Sequence, residues 1–302
     1  MDLLKARSAA LFAAAGLCLS AADLDAGRRG YRLLCVQCHG EDGDATSYAN
    51  IVPVAGIARR YPPAVIASLS GSFSGRILHG RDRIDVVAYM ATLTGAKGFP
   101  DPGWVSSPYL VEKKSQRLSE YRVLDTRPLA AYAAAHIPNA IHAPEPCSTA
   151  PVTPGWLARH GISPSTVAVV YDEEGGPSAA CLWWRIRQAG HPWVSVMDGG
   201  WNLWSAERRF TSLSIPRIAP ASYPDSSSPP PIRLPARAAW RWRDAVAKTG
   251  FLSHSELSAL LARPGAPTTA DPAEIAHLAL VRSLLGLDPE PAATGRRGER
   301  IQ

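Results

Sequence analysis

Val167-Ala168-Val169-Val170-Tyr171-Asp172-Glu173-Glu174-Gly175-Gly176 sets five apolar residues in a row against an acidic, glycine-ended turn. A short unbroken apolar run of β-branched and aromatic residues, stopped by turn residues, is the pattern of a strand buried on both faces. Downstream, the spacing predicts a helix over Ser178 to Ala189, a strand over Val194 to Met197 and a helix over Trp201 to Ala206. Upstream, it predicts strands over Arg122 to Leu124 and Ala140 to His142, with a helix over Pro128 to Ala134 between them. Strands and helices alternating at this interval imply a parallel sheet with helices on both faces, an α/β domain over about residues 106 to 212.

Four motifs lie in register along that domain: Leu124-Asp125-Thr126-Arg127, His136-Ile137-Pro138-Asn139-Ala140-Ile141-His142, Val169-Val170-Tyr171-Asp172, and Asp198-Gly199-Gly200-Trp201 with Trp204. Together they resemble a single rhodanese (thiosulfate sulfurtransferase) domain. In that family the strand ending in Tyr171 would be followed by a nucleophilic cysteine. Its thiolate would be held by loop N–H groups and a helix N-terminus. Here Asp172 stands at that position, and an aspartate cannot carry a persulfide. Glu173 and Glu174 add negative charge where a sulfur anion would have to bind. No catalytic residue is therefore assigned. Asp125 and Arg127 are expected to form a local ion pair or turn-fixing hydrogen bonds. The nearest thiol, Cys181, falls within the predicted helix and is expected to be a small buried side chain.

Nearer the N-terminus, Leu34-Cys35-Val36-Gln37-Cys38-His39-Gly40 has the spacing of a covalent haem c site. Two cysteines two residues apart can each bond the porphyrin, and the histidine that follows reaches the iron. A redox dithiol would call for a strand before the motif, and a zinc site for a second ligand pair; neither pattern is present. Helices are predicted over Asp23 to Leu34, with Leu24, Gly27, Tyr31 and Leu34 in register, and over Asp82 to Leu93, with Ile84, Val87, Ala88 and Ala91 on one face. Gly30-Tyr31 before the motif and Val86-Val87-Ala88-Tyr89-Met90 after it resemble the first and last helices of a class I cytochrome c domain. The resemblance implies that the two helices cross, with Tyr89 near their contact. The methionine that such domains place before the last helix is missing from residues 68 to 83. His79 is the leading candidate for the second iron ligand, beside His39. Met90 is a weaker one.

The 302 residues, 46% hydrophobic and 19% charged, suffice for two domains and a smaller third piece. Residues 1 to 22 read as a signal peptide: Lys5 and Arg7 flank the apolar run Ala9 to Leu19, and Ser20-Ala21-Ala22 supplies small residues for cleavage. This predicts a periplasmic protein, membrane-bound only if that segment is retained. Leu17 before Cys18 speaks against lipidation. Cys147 and Cys181 are free to pair in an oxidising compartment, which spacing alone leaves open. The net charge of +6 comes from scattered arginines with no basic run, which argues against nucleic acid. Residues 213 to 235 are expected to be a Pro/Ser-rich linker, 236 to 287 a small helical segment, and 288 to 302 a disordered tail.

The expected protein is thus multidomain: an all-α cytochrome c domain over 23 to 100, the α/β rhodanese-like domain, and the C-terminal helices. Its expected chemistry is one-electron transfer through one covalently bound haem c at Cys35, Cys38 and His39. The expected partner is a periplasmic redox protein, with a sulfur-carrying protein or sulfur anion as a further candidate. The family pairing points to inorganic sulfur oxidation. The alternative is an enzyme, a thiosulfate sulfurtransferase or thiosulfate-oxidising protein using Cys147 or Cys181.

Overall fold

The computed structural model describes residues 22–44, 51–62, 66, 78, 80–115, 121–148, 150–224, 240–263 and 271–287. At the N-terminus, α1 (Leu24–Leu34) starts at Asp23, whose carboxylate accepts the Asp25 and Ala26 N–H groups, each at 2.9 Å. The CxxCH motif follows at once in a single turn, α2 (Val36–His39), and α3 (Ile57–Arg60) is another short turn. Against α1 lies α4 (Gly80–Met90). The two meet through glycines: a Cβ on Gly27 would run into the Asp85 carbonyl and Tyr89, and one on Gly30 would stand 2.6 Å from Val86. Asp85 closes the crossing, accepting the Asp23 N–H at 2.9 Å and pairing with Arg81 at 3.1 Å.

The expected crossing is present, but the expected faces are only partly right. On α1, Gly27 and Tyr31 are buried, while Leu24, Leu33 and Leu34 are exposed. On α4 the buried residues are Asp85, Val86, Ala88 and Met90, and Ile84 points outward. Apolar periodicity misplaces the face because the contact is made by missing side chains and a capping carboxylate rather than by a leucine seam.

A five-stranded parallel sheet follows, built from β1 (Val105–Ser106), β2 (Tyr121–Asp125), β3 (Ala140–His142), β4 (Val167–Tyr171) and β5 (Val194–Met197), in the order β1-β5-β4-β2-β3. The connecting helices are α5 (Pro108–Ser115), α6 (Leu129–Ala134), α7 (Pro154–Arg159), α8 (Pro177–Gln188) and α9 (Gly200–Ala206). Three elements escape the sequence reading: β1, α5 and α7. Two-residue β1 moves the start of this module to Val105 and brings Trp104 into its core.

Successive residues of β4 point to opposite faces. Ala168 and Val170 join a cluster with α8 and the C-terminal helices, whereas Val167, Val169 and Tyr171 join one with Tyr31, Cys35, Val54, Tyr61 and Val86 of the N-terminal unit. The sheet is therefore buried between the two ends of the chain. Beyond it come the hairpin β6 (Val246–Ala247) and β7 (Gly250–Phe251), then α10 (His254–Leu261) and α11 (Pro272–Leu284). Asp271 caps α11, with Pro272 in its first turn as expected.

The C-terminal segment is thus a hairpin plus helices, with α11 packed on α8. The expected linker begins later than 213: Ile218 and Tyr223 pack on the apolar core, and the Ala221 N–H donates to Ala158 at 2.9 Å. No described helix is long and apolar enough to cross a membrane. Residues 1–21, which hold nearly all of the expected signal peptide, and the expected tail 288–302 lie outside the described residues.

Candidate functional site

Two places concentrate chemistry. The first is the loop after β4, where Asp172 Oδ1 accepts the N–H groups of Glu174 (3.1 Å), Gly175 (2.8 Å) and Gly176 (2.8 Å), and Oδ2 accepts that of Ala179 (3.2 Å). Ala179 lies in the first turn of α8, so the carboxylate occupies the anion position of a helix N-terminus. The start of α9 seals the loop from behind, with Trp201 N–H donating to the Asp172 carbonyl at 2.9 Å and Asn202 N–H to the Glu173 carbonyl at 2.8 Å. Four N–H donors that could cradle a bound anion are thus taken by this chain's own side chain.

The C-terminal segment closes the front. A Cβ on Gly176 would meet the Trp242 ring at 3.0 Å, and one on Gly175 would meet Phe251 at 3.3 Å. His277 of α11 stacks on Phe251, with ring centroids 5.5 Å apart. Burial pushes this imidazole down to about 4, opposed in part by the Gly175 carbonyl. Tryptophan and phenylalanine at 242 and 251 look in sequence like ordinary core residues, and nothing local to them reports that they cover the loop.

The acids after Asp172 are partly compensated. Arg127 stands in the field of Glu173, whose carboxyl is nonetheless held above its usual range by burial, and Arg243 lies 3.6 Å from Glu174. Asp125 and Arg127 form the expected ion pair, at 2.7 Å, and both are buried. The Tyr171 hydroxyl donates to Asp125, and Arg127 lies over the Trp201 ring at 4.2 Å. These contacts fix the turn.

Cys181 is buried, as expected, but not as a lone thiol: it forms a disulfide with Cys147, with Cα atoms 5.4 Å apart. This removes the two cysteines that the enzyme alternative called for.

The second place is the CxxCH turn. Cys35 and Cys38 are both free, the first buried and the second half-buried. Burial pushes the Cys35 thiol up to about 11, so it is protonated at neutral pH and a poor nucleophile for sulfur transfer. The Tyr31 hydroxyl donates to the Gly40 carbonyl at 2.7 Å and fastens the end of the turn to α1. His39 Nδ1 is buried without a hydrogen bond. Burial lowers its proton affinity; the Val52 carbonyl offsets part of that shift without completing a bond of normal geometry.

Two free thiols and an imidazole on one turn at the end of α1 suit covalent haem c attachment. Cys35 and Cys38 would hold the group, and His39 would face its iron. Met90 is packed in the core with Tyr31 and Cys35, as a methionine inside a helix is expected to be. His79 lies outside the described residues. Among the described residues, no group of three or more His, Cys, Asp or Glu is placed to hold a bare metal ion.

Residues 110–207 match the family model for the rhodanese-like domain. The chain contains a rhodanese-like domain. A Mycobacterium leprae protein whose name assigns it to the thiosulfate sulfurtransferases is 40% identical over 68 residues, 22% of this chain and 23% of that protein. Human 3-mercaptopyruvate sulfurtransferase is 34% identical over 70 residues, 22% of this chain and 24% of its own length. The matched stretch thus spans about a quarter of these relatives. The solved structure of SseA from Escherichia coli, described with the rhodanese fold of 3-mercaptopyruvate sulfotransferases, aligns at a TM-score of 0.49 and 16% identity over 61% of this chain and 94% of that one. The names of the two relatives favour the sulfurtransferase alternative over the electron-carrier reading. The domain match leaves Cys35, Cys38 and His39 outside it.

Proposed function

We propose that the chain is an exported one-electron carrier with one haem c, held through thioethers at Cys35 and Cys38 with His39 on the iron. In this reading the rhodanese-like domain is a rigid, non-catalytic partner module. The observation that carries the proposal is the CxxCH turn: two unpaired thiols and a half-buried imidazole whose Nδ1 is enclosed without a hydrogen bond, directly after α1, which packs on α4 through Gly27 and Gly30.

The haem, when bound, supplies the redox chemistry; the chain supplies attachment, orientation and exclusion of water. The buried Cys35 side and Tyr31 keep the attachment turn dry and fixed, which lowers the dielectric around the iron and helps set its potential. A redox partner protein in the periplasm would receive or deliver the electron, in a setting of inorganic sulfur oxidation. Visible spectroscopy and mass measurement of the protein purified from a host that matures c-type cytochromes test this. Pigment that survives acid-acetone and one added haem mass are expected; an unmodified mass defeats the proposal.

The relatives' names support a second reading, that of a sulfurtransferase acting on thiosulfate or 3-mercaptopyruvate. Against it stand the carboxylate in the anion cradle, the Cys147–Cys181 disulfide and the protonated Cys35 thiol. Thiocyanate formation from thiosulfate and cyanide separates the two. We expect none from the wild type. Turnover abolished by Cys147→Ser or Cys181→Ser would establish the enzyme.

A further inference from the structure

In the segment that follows α9, Phe210, Leu213 and Ile215 are 76%, 71% and 79% exposed. Their backbone is held firmly. Trp204 Nε1 donates to the Phe210 carbonyl at 2.9 Å, and Ser212 exchanges two backbone hydrogen bonds with His136, at 2.8 and 3.0 Å. The His136 Nε2 stands 3.1 Å from the Ser214 carbonyl. Trp204 and His136 are both buried. Alternate residues of a β-paired segment face opposite ways, so tying down positions 212 and 214 turns Leu213 and Ile215 outward. Single exposed apolar residues are ordinary, whereas three in one short, fixed segment mark a contact surface.

The charges beside them have one sign. Residues 208–224 contain three arginines and no Asp or Glu. Arg209 is paired with Glu112 and Glu207, so those acids are already answered. Arg208 and Arg217, at the two ends of the apolar row, pair with no carboxylate among the described residues. Beyond Arg217 the chain returns to the core at Ile218. Arg208 also has φ 52°, in the left-handed region that favours glycine. A side chain kept there against a steric cost calls for a use that the fold itself does not supply.

The shape narrows the choice of partner. A stable protein interface takes roughly 800 Å² from each side, and three neighbouring side chains supply only part of that. A bilayer surface needs no complementary relief: apolar tips enter the headgroup boundary while flanking arginines reach back to acidic headgroups.

We propose that Phe210, Leu213 and Ile215, flanked by Arg208 and Arg217, dock the protein on the surface of a bilayer rich in anionic phospholipid. The contact is peripheral, requires no spanning helix, and does not depend on the haem c reading.

The test is vesicle flotation of the processed protein, without residues 1–22, on phosphatidylglycerol-rich and on pure phosphatidylcholine vesicles. The wild type should float with the first and remain behind with the second. Combining Phe210→Ser, Leu213→Ser and Ile215→Ser should weaken binding by at least about tenfold, since apolar burial is lost. Arg208→Gly should weaken it by about fivefold, the share of one arginine at an anionic surface. The same change should leave the Tm equal or higher, because glycine accepts the left-handed backbone; a merely structural arginine would lower the Tm and leave flotation unchanged.

A wild type that floats with neither vesicle, or equally with both, would overturn the proposal. So would a triple variant that binds as the wild type does. A lipid-free dimer that the triple variant abolishes in sedimentation would assign this face to a second copy instead, which also overturns it.

Discussion

Four backbone N–H groups converge on the Asp172 carboxylate, and its replacement shows what they hold. Asp172→Ala should destabilise the protein by about 2–3 kcal/mol, the cost of leaving buried donors unmet. The emptied cradle should then accept a small anion: added sulfate should raise the Tm of Asp172→Ala more than that of the wild type. Equal shifts would show that the loop collapses instead. His277 supplies a pH signature at the same scale. Its folded pKa of about 4 lies below the ordinary value of 6.5, so the unfolded chain binds the extra proton. Stability should therefore be full above about pH 7 and fall as the pH drops toward 4, by about 2 kcal/mol from this residue at pH 5. Urea unfolding at pH 7 and pH 5 checks the sign, and His277→Gln should flatten the dependence. The exclusion of persulfide chemistry at Asp172 was legible from one residue, because charge and nucleophilicity belong to the side chain itself. The role of His277 was not, because its shift comes from burial by residues distant in sequence.

Between elements, the crossing of α1 and α4 depends on the absence of side chains at two positions. Gly27→Ala should cost about 1–3 kcal/mol, as overpacking does, because the obstacle is the Asp85 backbone, which cannot swing aside. Thermal unfolding measures the loss, and on the proposed haem c reading attachment of the group should fall with it. On the other side of the sheet, the Cys147–Cys181 disulfide ties the loop before α7 to α8 across 34 residues. Breaking it with Cys147→Ser should cost about 2–4 kcal/mol in denaturant unfolding. The helices themselves were visible in the sequence, since caps and turn residues act locally. Their buried faces were not, because Leu33 is 78% exposed while Asp85 is buried, an inversion that only the partner helix produces.

Over the whole molecule, one ionic contact gathers three segments. Lys97 pairs with Asp198 at 2.5 Å and donates to the Thr249 carbonyl at 3.3 Å, and the Phe251 N–H donates to the same carboxylate at 2.6 Å. Burial holds Asp198 above the usual carboxylate range, with Lys97 opposing that shift. Lys97→Ala should leave this carboxylate without its cation and cost about 2–3 kcal/mol; Asp198→Asn in the same background should recover part of that loss in a double-mutant cycle. By itself the sequence determined the CxxCH motif, a parallel α/β module with four of its five strands, and the loss of the sulfur nucleophile. Each of these depends on residue identity and on periodicity over a few positions. Only the tertiary structure decided that the N-terminal unit and the C-terminal segment cover opposite faces of one sheet, and that Trp242 and Phe251 cover the Asp172 loop. Such contacts join positions tens to hundreds of residues apart, and they are set by which surfaces find each other rather than by any local pattern of side chains.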